Sequence, residues 1–283
     1  MIQKKLKFLN EQCMKNNKPI CFYDIYCFKP QECFKRNDIN LLEDKLKRYS
    51  KITFLRNKEN PEIIFLLGGD GSFINFINQQ WKKNVKIVGI NYGQLGFYSS
   101  YDSIKTINLD EIIDENMYYN PLLLKVSINN QNFFYCLNEL SLFSNELVSF
   151  DISINDYPYE KFRGSGLLFV TPSGSTGKNK TAFGPIIFNN HENFIMTEIF
   201  PVNHLKYSSL NAPVVFRKDY KISLTNIKFK KSFSVAIDGN IINFSDKIND
   251  IKVETIQASS KIHGLNNFKK YIDKLNKSFI KGE

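Results

Sequence analysis

The segment IIFLLGGDGSFINFI (63–77) decides the fold class, because it joins a strand, a turn and a helix without a gap. The apolar run PEIIFLL (61–67) predicts a buried strand that ends at Gly68-Gly69. Apolar residues at helical spacing over 72–83 then predict a helix that follows at once. A strand, a glycine turn and a helix in this order are typical of an α/β unit.

The same alternation extends outward on both sides of this segment. Strands are predicted at 19–23 and 85–91, and helices at 40–49 and 103–115. Strands that alternate with helices imply βαβ units and a parallel sheet with both faces covered. We therefore expect an α/β, Rossmann-like domain over residues 1–118.

Beyond Pro121 the chain changes to short β-rich runs separated by turn-forming pairs such as Asp238-Gly239. This pattern predicts an antiparallel, β-sandwich-like domain over residues 119–260. The runs are 122–128, 133–137, 148–154, 166–171, 212–216, 220–227, 232–237 and 250–256. The tail at 265–279 is helical, with a stripe of Phe268, Ile272, Leu275 and Phe279. We expect residues 261–283 to return to the first domain.

Composition excludes several classes of protein. The 283 residues are 42% hydrophobic, which is enough to bury a core and excludes a disordered chain. No apolar run reaches the roughly 18 residues of a membrane span. The first residues, MIQKKLKFLN, lack the apolar stretch of a secretory signal. A globular cytoplasmic protein with no membrane partner is the expectation.

The charge balance favours anionic partners. Lys and Arg number 38 against 28 Asp and Glu, a formal net charge of +10. A nucleic-acid surface is one interpretation. However, the basic residues are spread along the chain in runs no longer than two, as at 228–231. We therefore favour compositional bias together with small anionic ligands, and expect no nucleic-acid partner.

The cysteines indicate no metal centre. The five are Cys13, Cys21, Cys27, Cys33 and Cys136. Four fall within the first 33 residues at spacings of 8, 6 and 6, which match no zinc-ligand pattern. We expect reduced, mostly buried thiols and no zinc site.

The turn Gly68-Gly69-Asp70-Gly71 carries the strongest chemical signal. Its glycines let the backbone approach a ligand closely, and the helix N-terminus that follows adds partial positive charge. Together they form a cradle for phosphate. A carboxylate among phosphates binds a hydroxyl, takes its proton or holds a metal. The alternative is an ordinary strand-to-helix turn with Asp70 as the helix cap, for which one glycine would suffice.

Two further segments are candidates for ligand contact. Residues 171–180 are rich in hydroxyls, glycines and lysines, which suit a sugar–phosphate ligand but also an ordinary surface loop. Asn138-Glu139 is a polar pair within an apolar strand run, where burial is costly unless it is paired. This pair is expected to bind hydroxyls or an adenine edge, or else to form a strand bulge or a satisfied core pair.

Six motifs occur in order along the chain: GGDG (68–71), INYGQLGF (90–97), NEL (138–140), SGLLFVTPSGSTG (165–177), GPI (184–186) and AIDG (236–239). Together they resemble the NAD kinase family over residues 61–257. GGDG alone is shared with diacylglycerol and sphingosine kinases, whereas the TPxGSTx…GP segment is far more specific.

The resemblance implies phosphorylation of the 2′-hydroxyl of the adenosine ribose of NAD, which gives NADP. ATP or polyphosphate would be the phosphoryl donor, with a divalent metal such as Mg²⁺. The implied fold is an α/β domain and a β-sandwich-like domain with NAD between them, in a homodimer or homotetramer. Two alternatives remain: a lipid kinase that shares GGDG, and a non-catalytic nucleotide-binding protein.

The resemblance also implies roles for individual residues. Asp70 becomes the general base, and no residue is assigned to a metal. Donor phosphate is expected at Gly68, Gly69 and Gly71, NAD hydroxyls at Asn138 and Glu139, and the pocket wall at Phe97. Arg163 is expected to face a phosphate. The adenine and ribose are expected at Ser173, Thr176, Gly177, Lys178, Asn179, Lys180 and Thr181, with Asp238–Asn240 as the family's DGQ-like turn.

The chain departs from the family's pattern at three places. Ser165 stands where the family usually carries Asp, a carboxylate expected near the nicotinamide end or a neighbouring subunit. Gly177-Lys178 replaces Ala-Tyr, so that a cation takes the place of a stacking aromatic ring. Asn240 replaces Gln. The preference between NAD and NADH therefore stays open, and Lys178 is expected either to bind a phosphate or to be solvated.

Overall fold

The computed structural model describes residues 18–35, 37–188, 192–203, 205–244, 247–264 and 267–280. The chain divides into two compact units. Unit 1 comprises Met1–Tyr119 with Ser259–Glu283, and unit 2 comprises Asn120–Ala258. In the part of the chain described, no helix is long and apolar enough to cross a membrane.

Unit 1 is built on one sheet with helices around it. Its strands are β1 (Ile20–Cys27), β2 (Thr53–Arg56), β3 (Ile63–Gly68), β4 (Lys86–Asn91), β5 (Tyr118–Tyr119) and β16 (Lys261–His263). Its helices are α1 (Pro30–Lys35), α2 (Asp38–Arg48), α3 (Asp70–Gln80), α4 (Leu109–Ile113) and α6 (Phe268–Leu275). The sheet order is β2-β1-β3-β4-β16-β5.

The sheet of unit 1 is parallel except at β5, which runs antiparallel to β16. All six residues of β3 are buried, as expected for a parallel strand that is covered on both faces. Strand β16 brings the C-terminal end of the chain back to pair with β4. The predicted α/β class of this region is confirmed. Strands β2 and β16 were not predicted.

The single helix predicted over 103–115 is wrong. The structure has a 3-10 turn at Ile104–Thr106, then α4, then a second 3-10 turn at Glu115–Met117. Two polar caps cause the breaks: Asn108 Oδ1 accepts the Asp110 N–H at 3.0 Å, and Asp114 Oδ1 accepts the Asn116 N–H at 3.0 Å.

The terminal helix packs on unit 1 through a face that matches the predicted stripe at Leu275 but not at Phe268 or Phe279. Tyr271 and Leu275 are buried, whereas Phe268 is 72% exposed and Phe279 is also exposed. The periodicity of the sequence identified the helix correctly. Phe268 and Phe279 were predicted to belong to the packed face, but both are exposed.

The expectation that the cysteines are reduced is wrong for one pair. Cys27 and Cys33 form a disulfide. Strand β1 ends at Cys27 and α1 begins at Pro30, so the chain reverses and brings the two Cα atoms to 7.0 Å. Cys21 and Cys136 are free and buried, and burial raises the pKa of the Cys21 thiol to about 12. Cys13 lies outside the described residues.

Unit 2 is a large antiparallel sheet with one short helix, α5 (Lys178–Thr181), preceded by a 3-10 turn (Ser173–Thr176). Its strands are β6 (Leu122–Ile128), β7 (Asn132–Cys136), β8 (Glu139–Ile154), β9 (Tyr157–Val170), β10 (Asn193–Ile199), β11 (Val214–Arg217), β12 (Ile222–Lys228), β13 (Ser234–Ile237), β14 (Asn240–Ile242) and β15 (Ile251–Gln257). Strand β10 was not predicted.

The sheet of unit 2 folds over on itself. Its order is β11-β10-β9-β8-β12-β15-β6-β7, and the long strand β8 also pairs with β13 along its first half. Residues from strands far apart in this order, such as Met196 on β10 and Val126 on β6, belong to one buried cluster. The two parts of the sheet therefore enclose a common core, which confirms the predicted β-rich domain.

Candidate active site

The GGDG turn places one acid at the start of a helix in unit 1. Strand β3 ends at Gly68, Gly69 occupies the N-cap position, and Asp70 is the first residue of α3. Asp70 Oδ1 accepts the N–H of Tyr98 at 2.8 Å. Because Gly69 holds the cap position, Asp70 does not have the helix-cap role considered as an alternative.

The three glycines of this turn serve different purposes. A Cβ on Gly68 would lie 3.0 Å from the Cβ of Ser72, so Gly68 serves close packing. A Cβ on Gly93 would lie 3.0 Å from the Cα of Gly69, so the two backbones nearly touch. A Cβ on Gly71 would meet nothing within 4 Å, which leaves open space beside Asp70. Residues 68–71 and the segment 91–99 are called the GGDG cluster below.

The segment 91–99 wraps around the acid. Asn91 Oδ1 accepts the Gly93 N–H at 2.8 Å, and Gly96 adopts φ +62, a conformation that favours glycine. Phe97 is buried, with its ring edge-on to Tyr271 at a centroid distance of 5.9 Å. Its ring packs on the terminal helix, and its contact with NAD stays a prediction.

A lysine that the sequence did not single out also reaches this cluster. Lys274 on α6 donates to the backbone carbonyl oxygens of Gly96 at 2.6 Å, Phe97 at 2.7 Å and Ser99. Burial lowers the pKa of Lys274 to about 8, against the opposing effect of the Asp70 and Asp102 carboxylates. The signal was present, because Lys274 follows Tyr271 by three residues and so shares its helix face.

In unit 2, the NE pair and the Asp238-Gly239 turn form one hydrogen-bonded assembly. The Asp238 carboxylate accepts three backbone N–H groups, from Leu137 at 2.8 Å, Asn138 at 2.7 Å and Glu139 at 2.9 Å. The Asp238 N–H in turn donates to the Glu139 carbonyl oxygen at 2.9 Å. The acid of the AIDG motif therefore fixes the backbone of the NE motif.

The TPSG turn packs directly on the same backbone. The Thr171 N–H donates to the Asn138 carbonyl oxygen at 2.9 Å, and the Thr171 hydroxyl donates to the Leu137 carbonyl oxygen. A Cβ on Gly174 would lie only 2.2 Å from the Asn138 carbonyl oxygen. Glycine is therefore required here. Asn138, Glu139, residues 171–178 and Asp238 are called the NE cluster below.

The Glu139 carboxyl group is buried and faces both a negative and a positive neighbour. Burial and, to a smaller extent, the charge of Asp238 raise the pKa of Glu139 to about 7, against the opposing effect of Lys178. Lys178 Nζ lies 3.5 Å from Glu139 Oε1 and donates to Ser141 Oγ at 3.3 Å. Lys178 is therefore an ion-pair partner of the NE motif rather than a simply solvated lysine.

Comparison with known proteins shows the family to which this chain belongs. A family model described as "ATP-NAD kinase C-terminal domain" matches residues 138–262. The NAD kinase of Mycoplasmoides gallisepticum is 30% identical over 226 residues, 77% of this chain and 81% of that protein. The NAD kinase of Streptococcus pneumoniae (strain Hungary19A-6) is 33% identical over 236 residues, 78% of this chain and 82% of that protein. The chain belongs to the NAD kinase family.

Solved structures of NAD kinases share the fold. Yeast NADH kinase complexed with NADH matches with a TM-score of 0.67 at 18% identity, over 94% of this chain and 89% of that one. An NAD kinase from Archaeoglobus fulgidus in complex with ATP matches with a TM-score of 0.65 at 20% identity, over 90% and 96%. This chain is accordingly a kinase that acts on NAD, and the lipid-kinase alternative has no support.

One predicted ligand residue of this NAD kinase, Asn179, makes hydrogen bonds within the protein. Asn179 is fully buried: its Nδ2 donates to the Pro185 carbonyl oxygen at 2.8 Å, and its Oδ1 accepts the Thr197 hydroxyl at 2.7 Å. A Cβ on Gly184 would lie 2.0 Å from that Oδ1. The Asn179 side chain therefore fastens the loop, and its contact with the ribose stays a prediction. The loop neighbours Gly177, Lys180 and Thr181 are exposed, Thr176 is partly buried and Ser173 is buried.

Two further predicted residues of the NAD kinase motif set, Arg163 and Ser165, lie apart from the NE cluster. Arg163 and Ser165 precede Val170 on β9 by seven and five positions, and Val170 is the residue that pairs with Glu139. At about 3.3 Å per residue these separations are about 23 and 16 Å. Arg163 instead contacts Tyr207, with Nη1 3.3 Å from its hydroxyl. Asn240 is exposed at the start of β14.

Proposed function

We propose that this NAD kinase transfers a phosphoryl group to the 2′-hydroxyl of the adenosine ribose of NAD, with Asp70 as the general base. The observation that supports the proposal is the position of the Asp70 carboxylate. One of its oxygens accepts the Tyr98 N–H, the side chain is partly exposed, and open space lies beside Gly71. A carboxylate that is fixed at one oxygen and accessible to solvent suits proton removal from a hydroxyl.

The proposed step is a direct transfer. The ribose 2′-oxygen forms a bond to the transferred phosphorus as the bond from that phosphorus to the donor's bridging oxygen breaks. Asp70 takes the hydroxyl proton, and the shortened donor, ADP or a shorter polyphosphate, leaves. Little covalent chemistry is required from the protein, so that alignment and charge neutralisation supply most of the rate.

The GGDG cluster is proposed to hold the donor phosphates. Gly68, Gly69 and Gly71 bring the backbone close to a ligand, and α3 directs its N-terminal N–H groups outward from the same turn. The net charge of +10 assists the approach of a polyanionic donor. The complex of the Archaeoglobus fulgidus enzyme with ATP supports ATP as a donor.

The NE cluster is proposed to hold the hydroxyls of NAD. Glu139 has a pKa of about 7, so its charge at neutral pH depends on its neighbours. Lys178 favours the ionised carboxylate, which is the stronger hydrogen-bond acceptor for a hydroxyl. Asn138 supplies an amide beside it. Ser173, Thr176 and the exposed loop residues that follow are proposed to contact the adenine and ribose, and Phe97 to line the pocket.

We propose that the divalent cation is Mg²⁺ and that it arrives bound to the phosphates of the donor. Within the described residues, no three His, Cys, Asp or Glu side chains lie together. Mg²⁺ commonly keeps several waters and binds through substrate phosphates with one or two carboxylates. When bound, the cation neutralises charge on the donor phosphates. No step is assigned to a resident metal.

The assembly and the location of the enzyme are further proposals. Arg163 and Ser165 lie far along β9 from the NE cluster, which accords with the implied position of Ser165 near a neighbouring subunit. We propose a homodimer or homotetramer that acts in the cytoplasm on NAD and ATP. The complex of yeast NADH kinase with NADH makes NADH the second substrate to test.

The test of the base is Asp70→Asn, measured by NADP formation from NAD with ATP and polyphosphate in parallel, and from NADH. We expect kcat to fall about 10³-fold, because general base catalysis contributes on that order, while Tm stays unchanged. Near-normal turnover of this variant at matched stability would remove Asp70 as the base. Binding of NAD by calorimetry without NADP formation in the wild type would instead indicate a non-catalytic protein.

A further inference from the structure

The ammonium of Lys274 contacts three acceptors and has no part in the proposed reaction. Its three N–H bonds go to three carbonyl oxygens within one short turn, those of Gly96, Phe97 and Ser99. A lysine ammonium has three donors and no acceptor, so this arrangement satisfies it completely.

The turn needs a cation because of its conformation. Gly96 adopts φ +62, and a Cβ at this position would lie 2.3 Å from the Asn91 amide nitrogen. This geometry directs the carbonyl oxygens of Gly96, Phe97 and Ser99 toward one point. Convergent carbonyl dipoles repel each other, and in a buried setting they require a shared donor.

One of the three acceptors belongs to the peptide group that contacts the proposed base. The Phe97 carbonyl oxygen and the Tyr98 N–H are the two ends of a single planar peptide unit. Lys274 donates to its oxygen at 2.7 Å, and its N–H donates to Asp70 Oδ1 at 2.8 Å. A cation on the oxygen polarises the peptide and strengthens the hydrogen bond that its N–H makes.

We infer that Lys274 is a positioning residue for Asp70, acting through the Phe97–Tyr98 peptide group. The inference rests on the proposed role of Asp70 as base. Lys274 fixes the position and direction of the Tyr98 N–H, and this N–H fixes one oxygen of the Asp70 carboxylate. The other oxygen is thereby held toward the open space beside Gly71, where a hydroxyl would lose its proton.

The docking of α6 does not depend on this ammonium. Tyr271 and Leu275 are buried on the same face, and Lys270 pairs with Glu111. Removal of the Lys274 charge should therefore leave the helix in place while it frees the turn. The charged side chains around Lys274 are Asp70, Asp102, Lys270 and Lys277, with Asp273 beside it on the helix.

The test compares K274M with K277M in the full-length enzyme. Methionine keeps most of the apolar stem of lysine and removes the donor. Lys277 is the matched control, because it lies on the same terminal segment and forms an exposed pair with Asp102 at 3.5 Å. We expect K274M to lower kcat about tenfold with KM for NAD and ATP within about twofold, and K277M to leave kcat within about twofold.

A double-mutant cycle with D70N separates positioning from general damage. If Lys274 acts through Asp70, K274M should change the residual kcat of D70N by less than about twofold. Multiplicative losses, or K274M turnover equal to that of K277M, would overturn the inference. If D70N itself is active, the base assignment fails whatever K274M does, so the two failures are distinguishable. If K274M does not fold, K274Q, whose amide retains two donors, takes its place in the same cycle.

Discussion

Two turns of this molecule each present one carboxylate, and they use it in opposite ways. Asp238 accepts three backbone N–H groups within 2.9 Å, so its oxygens are engaged in holding the NE backbone. Asp70 accepts the Tyr98 N–H through one oxygen and is partly exposed at the start of a helix. Both acids lie beside glycine, and both belong to motifs that identify the family.

The difference shows how a structural acid is told from a reacting one. A carboxylate whose lone pairs are filled by fixed backbone donors has little capacity to accept a substrate proton. A carboxylate with one fixed oxygen is oriented but retains an oxygen for chemistry. On this ground we propose Asp70 as the base, whereas the hydrogen bonds of Asp238 give it a supporting role.

Asp238→Asn should lower stability, in contrast to Asp70→Asn. The amide has one acceptor oxygen, and its NH₂ group would face the N–H of Leu137 or Glu139, two donors in contact. We expect a loss of about 2–3 kcal/mol and a Tm lower by about 5–8 °C, with a higher KM for NAD. Thermal melts and steady-state kinetics on both variants measure this.

The control for this comparison is Asp156→Asn. Asp156 also has a left-handed backbone, with φ 68, but is exposed in a turn, and asparagine tolerates that conformation. Its Tm should not change. If D238N melts like D156N while D70N loses stability, the structural and catalytic roles of the two acids are reversed.

Lys178→Met extends the comparison to a third acid, Glu139, because it removes the ammonium beside the Glu139 carboxylate. Without the ammonium at 3.5 Å, the pKa of Glu139 rises above about 7, so at pH 7 more of the carboxyl is protonated. We expect KM for NAD to rise about fivefold at pH 7 and to approach the wild-type value at pH 9, where Glu139 is ionised in both proteins. Lys221→Met, which removes an exposed partner of Glu254, is the control.

The same variant decides between two roles for Lys178. If Lys178 touches a phosphate of the substrate, its removal raises KM by the same factor at pH 7 and pH 9. If KM rises only at pH 7, the effect of removing Lys178 is assigned to the ionisation of Glu139. A pH-independent loss would therefore contradict the ion-pair role.

Local signals in the sequence were sufficient for much of the fold and of the site. The run 61–77 predicted both β3 and α3, because apolar periodicity and a glycine turn are encoded in adjacent residues. The caps that break the 103–115 helix, Asn108 and Asp114, were equally local but were outweighed by the expectation of one continuous helix. Capping chemistry deserved the greater weight there.

What the sequence did not provide depends on contacts between distant segments. Lys274 meets a turn that lies more than 170 residues earlier in the chain. Asn179 resembles a loop residue available to a ligand until Thr197 and Pro185 close around it. Such pairings are set by the register of strands and the docking of a helix, which residue types alone do not specify.

A last pair of acids, Glu160 and Glu198, is buried with few hydrogen-bond donors nearby. Burial of such a carboxylate lowers the stability of the folded protein when the carboxylate is ionised. Both are buried in unit 2, and each accepts one loop N–H, from Leu210 at 3.3 Å and Asn211 at 2.8 Å. Burial and the neighbouring Glu198 raise the pKa of Glu160 well above the ordinary glutamate value. Between the ordinary glutamate pKa and this raised pKa the folded protein binds more protons than the unfolded chain, so stability falls as the pH rises.

Glu160→Gln should remove this pH-dependent loss of stability. We expect its Tm to match the wild type within about 1 °C at pH 4, near the ordinary glutamate pKa, and to exceed it by at least about 2–3 °C at pH 9, a gain of at least about 1 kcal/mol. Glu59→Gln, at an exposed loop position, should show no difference at either pH. If E160Q instead lowers Tm equally at both pH values, the two carboxyl groups stabilise the fold through a shared proton. In that case the number of donors around a buried acid would not decide its role here.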